Sequence, residues 1–120
     1  ARTTVLVKFP GQPLCYMQIP TDRIEKMFTS CFRISKKALT FVNALISLYR
    51  GFYYILVDGN RDKKKLPPNM TAYLVDARGG TSVLDIAGVF VICKLPNGLT
   101  GPMADMTPQD TEQVVKLLRN

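Results

Sequence analysis

The chain of 120 residues, 13.4 kDa, is the size of one domain and is long enough to bury a core unaided. Sixteen Lys and Arg against nine Asp and Glu give a formal net charge of +7, and 47 % of the residues are apolar, which excludes a disordered chain. The sequence has no His, which removes the usual proton carrier near neutral pH, every triad or dyad built on it, and the commonest metal ligand. Composition therefore points to a basic binding or scaffold domain rather than an enzyme, with no cofactor and no metal.

Thr3 to Phe9 alternates as a strand does and is closed by Pro10-Gly11-Gln12-Pro13. Leu14 to Ile19 is a second short strand, ended by Pro20. Thr21 can cap a helix over Asp22 to Phe32, in which Ile24, Met27, Phe28, Cys31 and Phe32 share one face. Arg23, Lys26, Ser30 and Arg33 lie together on the opposite face.

Ser35 to Arg50 supports two readings. As a helix it has a capping serine, an apolar body, and a polar stripe of Lys36, Thr40, Asn43, Ser47 and Arg50. As a strand it offers Leu39, Phe41, Val42 and Ile46. Helix is the reading taken for most of this stretch, with Lys36 and Lys37 at the positive end of its dipole, where an anion docks well.

Phe52 to Asp58 is an aromatic and β-branched strand. Gly59 to Asn69 is a loop carrying Arg61, Lys63, Lys64 and Lys65 and stopped by Pro67-Pro68. Thr71 to Ala77 is a strand, Arg78-Gly79-Gly80-Thr81 a turn, and Val83 to Leu95 a long strand with a bulge at Gly88. Thr107-Pro108 opens a terminal helix with Asp110 and Glu112 in its first turn, docked by Val114, Val115, Leu117 and Leu118. No repeat or linker interrupts the pattern, so residues 1–120 read as a single α+β domain, an antiparallel sheet with helices packed on one face.

Cys15, Cys31 and Cys93 form no CxxC pair, and their apolar neighbours suggest buried free thiols in a reducing, intracellular compartment, cytoplasmic or nuclear. No signal peptide is read at the start. Ala38 to Val57 is long enough to cross a membrane, but Asn43, Arg50 and Gly51 fall inside it, so the span is rejected.

Three classes of chemistry remain. Asp58, Asp76 and Asp85 at or within strands, with Asp62-x-Lys64 following Asp58, fit a metal-dependent nuclease, although turns also place Asp58 and Asp76. The tract Arg61, Lys63, Lys64 and Lys65 can neutralise several phosphates, joined by the basic face of Arg23, Lys26 and Arg33 and by Lys36 and Lys37. An apolar helix with basic patches also suits a small intracellular or viral matrix-like scaffold that self-associates and meets anionic membrane or nucleic acid.

The run Arg50-Gly51-Phe52-Tyr53-Tyr54-Ile55-Leu56-Val57 resembles the RNP1 strand of RNA-recognition motifs, with Arg50, Gly51, Phe52, Tyr54 and Ile55 in pattern. Tyr53 and Val57 depart from that pattern, and Cys15 takes the aromatic slot of the RNP2-like strand Leu14 to Pro20. The resemblance implies an RRM-like, ferredoxin-like sheet on which Phe52 and Tyr54 stack bases beside Arg50. The favoured reading is thus a non-catalytic domain for RNA or another polyanion.

Overall fold

The run Phe90–Lys94 has no polar residue before its last position, the composition of a strand covered on both faces. Among the described residues it is the seventh of seven strands: β1 (Thr3–Lys8), β2 (Cys15–Ile19), β3 (Leu45–Tyr49), β4 (Tyr53–Leu56), β5 (Pro68–Val75), β6 (Thr81–Ala87) and β7 (Phe90–Lys94). A C-terminal helix follows at Pro108–Arg119. The computed structural model describes residues 2–27, 45–49, 52–58, 65–75 and 78–119.

The strands form one sheet in the order β2-β1-β7-β4-β3-β5-β6. All pairings are antiparallel except β3 with β5, which meet in parallel at Tyr49 and Val75. β6 and β7 are joined only by Gly88 and Val89, although β4, β3 and β5 lie between them in the sheet. A flat sheet would hold them about 19 Å apart, four strand spacings. Ala87 and Phe90 can be separated by about 11 Å at most, three Cα steps. The sheet must therefore curl. The Gly88 amide donates to the Pro67 carbonyl at 2.7 Å. The Asn69 side-chain amide donates to the carbonyls of Lys8 at 3.0 Å and Gly88 at 2.8 Å, tying the start of β5 to the end of β1.

Strand alternation then sorts the core into two clusters. Val5, Val7, Leu56, Val91 and Cys93 face one side, where Ile24 and Met27 of a helical segment at 24–27 cover them. Leu6, Tyr53, Ile55, Phe90 and Ile92 face the other, with Val114, Leu117 and Leu118 of the C-terminal helix and with Ala72 and Ile86 from the curled β5 and β6. Burying each such aliphatic side chain is worth about 2 kcal/mol. The segment after β7 returns to β1: the Thr4 amide donates to Asp105 Oδ1 at 2.7 Å, and the Met106 amide to the Thr4 carbonyl at 2.9 Å.

Several expectations change. The sheet is mostly antiparallel and α+β, but the helical segment at 24–27 and the C-terminal helix lie on opposite faces rather than one. Its seven-strand order also differs from the four-stranded sheet that an RNA-recognition motif implies. Residues 45–49, expected within a helix, are a strand because β4 offers a ladder in which Ile46 opposes Ile55; pairing decides what propensity leaves open. The rest of the expected Ser35 to Arg50 helix, and Phe28 to Phe32 of the first helix, lie outside the described residues. That first helix begins at Ile24, after Thr21 Oγ1 has accepted the Arg23 amide at 3.0 Å. β5 begins at Pro68, where a missing N–H does no harm at the first strand position.

Val83 to Leu95 is not one bulged strand but two strands with different partners. The change of partner needs Gly88, whose φ of +75° lies in the left-handed region, and a Cβ there would stand 2.6 Å from Leu66 Cδ1. Gly88→Ala is therefore expected to lower stability by about 2 kcal/mol or more, read as a lower urea midpoint with an unchanged slope.

Candidate functional site

The register fixes two ends of the sheet. Lys8 opposes Phe90, Val91 opposes Leu56, and Leu56 opposes Leu45, so these residues share one end. The parallel pairing of β3 and β5 brings Pro68 to the same end. Thr3, Ile19, Lys94, Tyr53 and Tyr49 mark the other.

Phe52 and Asp58 therefore stand at opposite ends of β4. Phe52 is 38 % exposed and sets its ring edge-on to Tyr53, with centroids 4.8 Å apart at 87°. Tyr54 is half-buried against the cluster that contains Leu56 and Val91. Phe52 precedes the strand rather than belonging to it, and of the expected pair only Phe52 is an exposed ring. Arg23, just before the helical segment at 24–27, and Lys26 within it are exposed. Lys65 is exposed at the Lys8 end, in a turn with its backbone in the left-handed region at φ 51°. Arg33, Lys36, Lys37, Arg50, Arg61, Lys63 and Lys64 lie outside the described residues.

The charge is distributed unevenly. Residues 28–65 hold eight of the 16 basic residues (Arg33, Lys36, Lys37, Arg50, Arg61, Lys63, Lys64 and Lys65) against two of the nine carboxylates, Asp58 and Asp62. That leaves six of the seven net charges in this stretch. Asp58 is buried, 4 % exposed, two residues after β4. Asp58 and Lys65, which flank the basic loop, both stand at the Lys8 end.

The acids proposed for metal chemistry do not gather among the described residues. Asp85 is on β6, where its Oδ1 accepts the Thr71 hydroxyl at 2.8 Å. Asp62 and Asp76 lie outside the described residues, and among those described no cluster of three His, Cys, Asp or Glu side chains could hold a metal ion. Cys15 is exposed on the edge strand rather than buried. Cys93 is buried, and burial pushes its thiol far above the ordinary range. Among the described residues no helix is long and apolar enough to cross a membrane.

The strongest electrostatic node is Asp110, which sequence reasoning places only as a helix-start acid. Thr107 and Asp110 cap the helix reciprocally: the Asp110 amide donates to Thr107 Oγ1 at 3.2 Å, and the Thr107 amide to Asp110 Oδ2 at 2.9 Å. Lys94 Nζ meets the same Oδ2 at 2.6 Å, with both side chains about 15 % exposed or less, and the Tyr53 hydroxyl donates to Oδ1 at 2.6 Å. Burial alone would raise the Asp110 pKa. Hydrogen bonds from Lys94, Tyr53 and Thr107 outweigh it and hold the carboxyl well below the usual carboxylate range. Burial first, and then the carboxylate beside it, push the Tyr53 hydroxyl well above its ordinary value, so it stays a donor. The node joins β4, β7 and the helix; its role is architectural. The Thr107-x-x-Asp110 spacing gives away the cap, whereas Lys94 and Tyr53 are distant in sequence and give no local signal.

A second feature without a sequence signal is a groove assembled from Lys8, Pro13, Leu14, Met70, Thr111, Val115 and Leu118. Comparison with protein-family models, curated proteins and solved structures finds no match to this chain.

The Asp110 node makes stability depend on acid. A carboxyl with a lowered folded pKa adds stability that is complete above its unfolded value, about 3.9, and that is lost as pH falls through the folded value. Asp110→Asn should cost about 2 kcal/mol at neutral pH by leaving Lys94 unpaired. The variant should also show a flatter loss of stability below about pH 4, followed by urea unfolding across acid pH.

Proposed function

We propose that this chain is a non-catalytic binding domain for RNA or a related polyanion. The observation that carries the reading is the placement of six of the seven net charges in residues 28–65. The loop holding Arg61, Lys63, Lys64 and Lys65 is flanked on both sides by residues at the Lys8 end of the sheet. Such a cluster gains affinity by releasing counterions from phosphates, whatever the sequence of the nucleic acid. Lys36, Lys37 and Arg33 supply further charge, and Arg23 and Lys26 add exposed cations at the start of the helical segment.

Phe52 contributes at the opposite end of β4, and Arg50 precedes it by two residues in the sequence. A single exposed ring stacks one base, and a ligand that touches both ends must be several nucleotides long. Tyr54 has a smaller share in this reading, because its half-buried ring supports the core. The RNP1-like residues thus enter as Arg50 and Phe52 rather than as an open two-ring platform.

Anisotropy titrations of a single-stranded RNA across salt concentrations test the loop. Lys63→Ala/Lys64→Ala/Lys65→Ala should weaken binding and reduce the slope of log affinity against log salt by about 2. Unchanged affinity at low salt removes the loop from the reading. Phe52→Ala should lower affinity about tenfold, the loss of one stacked base, with little change in melting temperature.

A second reading, a self-associating scaffold, is favoured by the free edge of β2. Among the described residues β2 pairs only with β1, and Tyr16 and Met17 are 50 % and 40 % exposed on a strand with no charge. Uncharged edges of this kind invite strand pairing. Light scattering should then show a concentration-dependent dimer that Met17→Lys returns to monomer. A wild-type monomer at all concentrations, indifferent to anionic vesicles, sets this reading aside.

A further inference from the structure

The groove between the C-terminal helix and the sheet has a volume of about 380 Å³, within the range of small-molecule sites, about 300–1,000 Å³. Pro13, Leu14, Met70, Val115 and Leu118 make its wall apolar, and Lys8 and Thr111 are its polar members. The Thr111 hydroxyl is already committed. It donates to the Thr107 carbonyl at 3.0 Å, so the Tyr16 hydroxyl, 2.6 Å away, must donate to it.

Lys8 is different. Its Nζ donates to Asn69 Oδ1 at 3.1 Å and to the Phe9 carbonyl at 3.3 Å. An ammonium has three donors, so one is left. Lys8 is half-buried, and among the described residues no carboxylate is paired with it, whereas Lys94 is neutralised by Asp110. A hollow beside the groove shares Thr111 and Val115 and adds Glu112 and Lys116, whose opposite charges stand one helical turn apart. Among the described residues the groove therefore presents an apolar wall with one cation that has no carboxylate partner. The complementary ligand has an apolar body and an anionic head.

We propose that this groove binds a small amphipathic carboxylate, a monomeric medium-chain alkanoate. Its chain lies against Leu14, Met70, Val115 and Leu118, and its carboxylate takes the remaining donor of Lys8 Nζ. An apolar body sets this ligand apart from a polyanion, so the site stands independently of the basic loop.

The test is a titration of isotope-labelled protein with decanoate below its micelle concentration, followed by amide chemical shifts. Decyltrimethylammonium, with the same chain and the opposite charge, is the control. Decanoate should saturate one site, with shifts confined to the residues that line the groove. Lys8→Met should weaken decanoate about tenfold or more and leave the cationic control unchanged. Because Asn69 holds the Lys8 backbone carbonyl, that variant keeps the seam between β1 and β5. Val115→Phe, at a half-buried position, should fill the groove and abolish the shifts while the fold persists by circular dichroism. Equal binding of the two amphipaths overturns the proposal, even if Lys8→Met fails to fold. So do unsaturable shifts spread over Phe9, Phe52 and Val83, or binding to anionic vesicles but not to monomeric decanoate.

Discussion

Everything in this fold follows from a two-residue link that must carry the chain from one edge of a seven-stranded sheet to its middle. Gly88 and Val89 cannot span that distance across a flat surface, so the sheet bends until the end of β6 meets the start of β7. Three hydrogen bonds hold the bend, from the Gly88 amide to Pro67 and from the Asn69 side chain to Lys8 and Gly88. The curl encloses the second core cluster, with β5 and β6 closing over the face on which the C-terminal helix docks. It also brings the start of β5 beside the end of β1, which places Met70 and Lys8 on one groove.

The two ends of the sheet have different work. At the Thr3 end, Asp110 gathers a lysine, a tyrosine and a helix cap at one carboxylate, so that Lys94 and Asp110 neutralise each other. At the Lys8 end, Lys8 has no acidic partner among the described residues, and the exposed Lys65 closes the basic loop. Exposed cations thus stand at both ends, Lys65 at the Lys8 end and Arg23 and Lys26 beyond Ile19.

Local signals were legible in the sequence where neighbours along the chain settle the outcome. Thr107, Pro108 and Asp110 announce a helix start by spacing alone, and Val114, Leu117 and Leu118 mark the face that is buried. Ile24 and Met27 likewise identify the covered side of the first helix. Signals failed where a distant partner decides. Leu45–Tyr49 is apolar enough for helix or strand, and only the ladder to β4 selects between them. Val83 to Leu95 shows no break in its hydrophobic run, so the exchange of partners at Gly88 could be read only as a bulge. The aromatic run had the right residue types for a base-stacking strand. Burial of Tyr53 beneath the helix and partial burial of Tyr54 were invisible, because both faces of β4 are covered by elements remote in sequence.

The attachment of β1 also governs the order in which this protein can be built. Thr4 is held through Asp105, 101 positions further along, and β1 pairs with β7 on its inner side. During synthesis the first hairpin, β1 with β2, therefore emerges long before the strand and the loop that complete it. A hairpin without a third strand is at best marginally stable in water. Until residues 90–106 leave the ribosome, the amino-terminal third of the chain has an uncovered apolar face and an open ladder. Such a topology exposes the nascent chain to aggregation until β7 arrives.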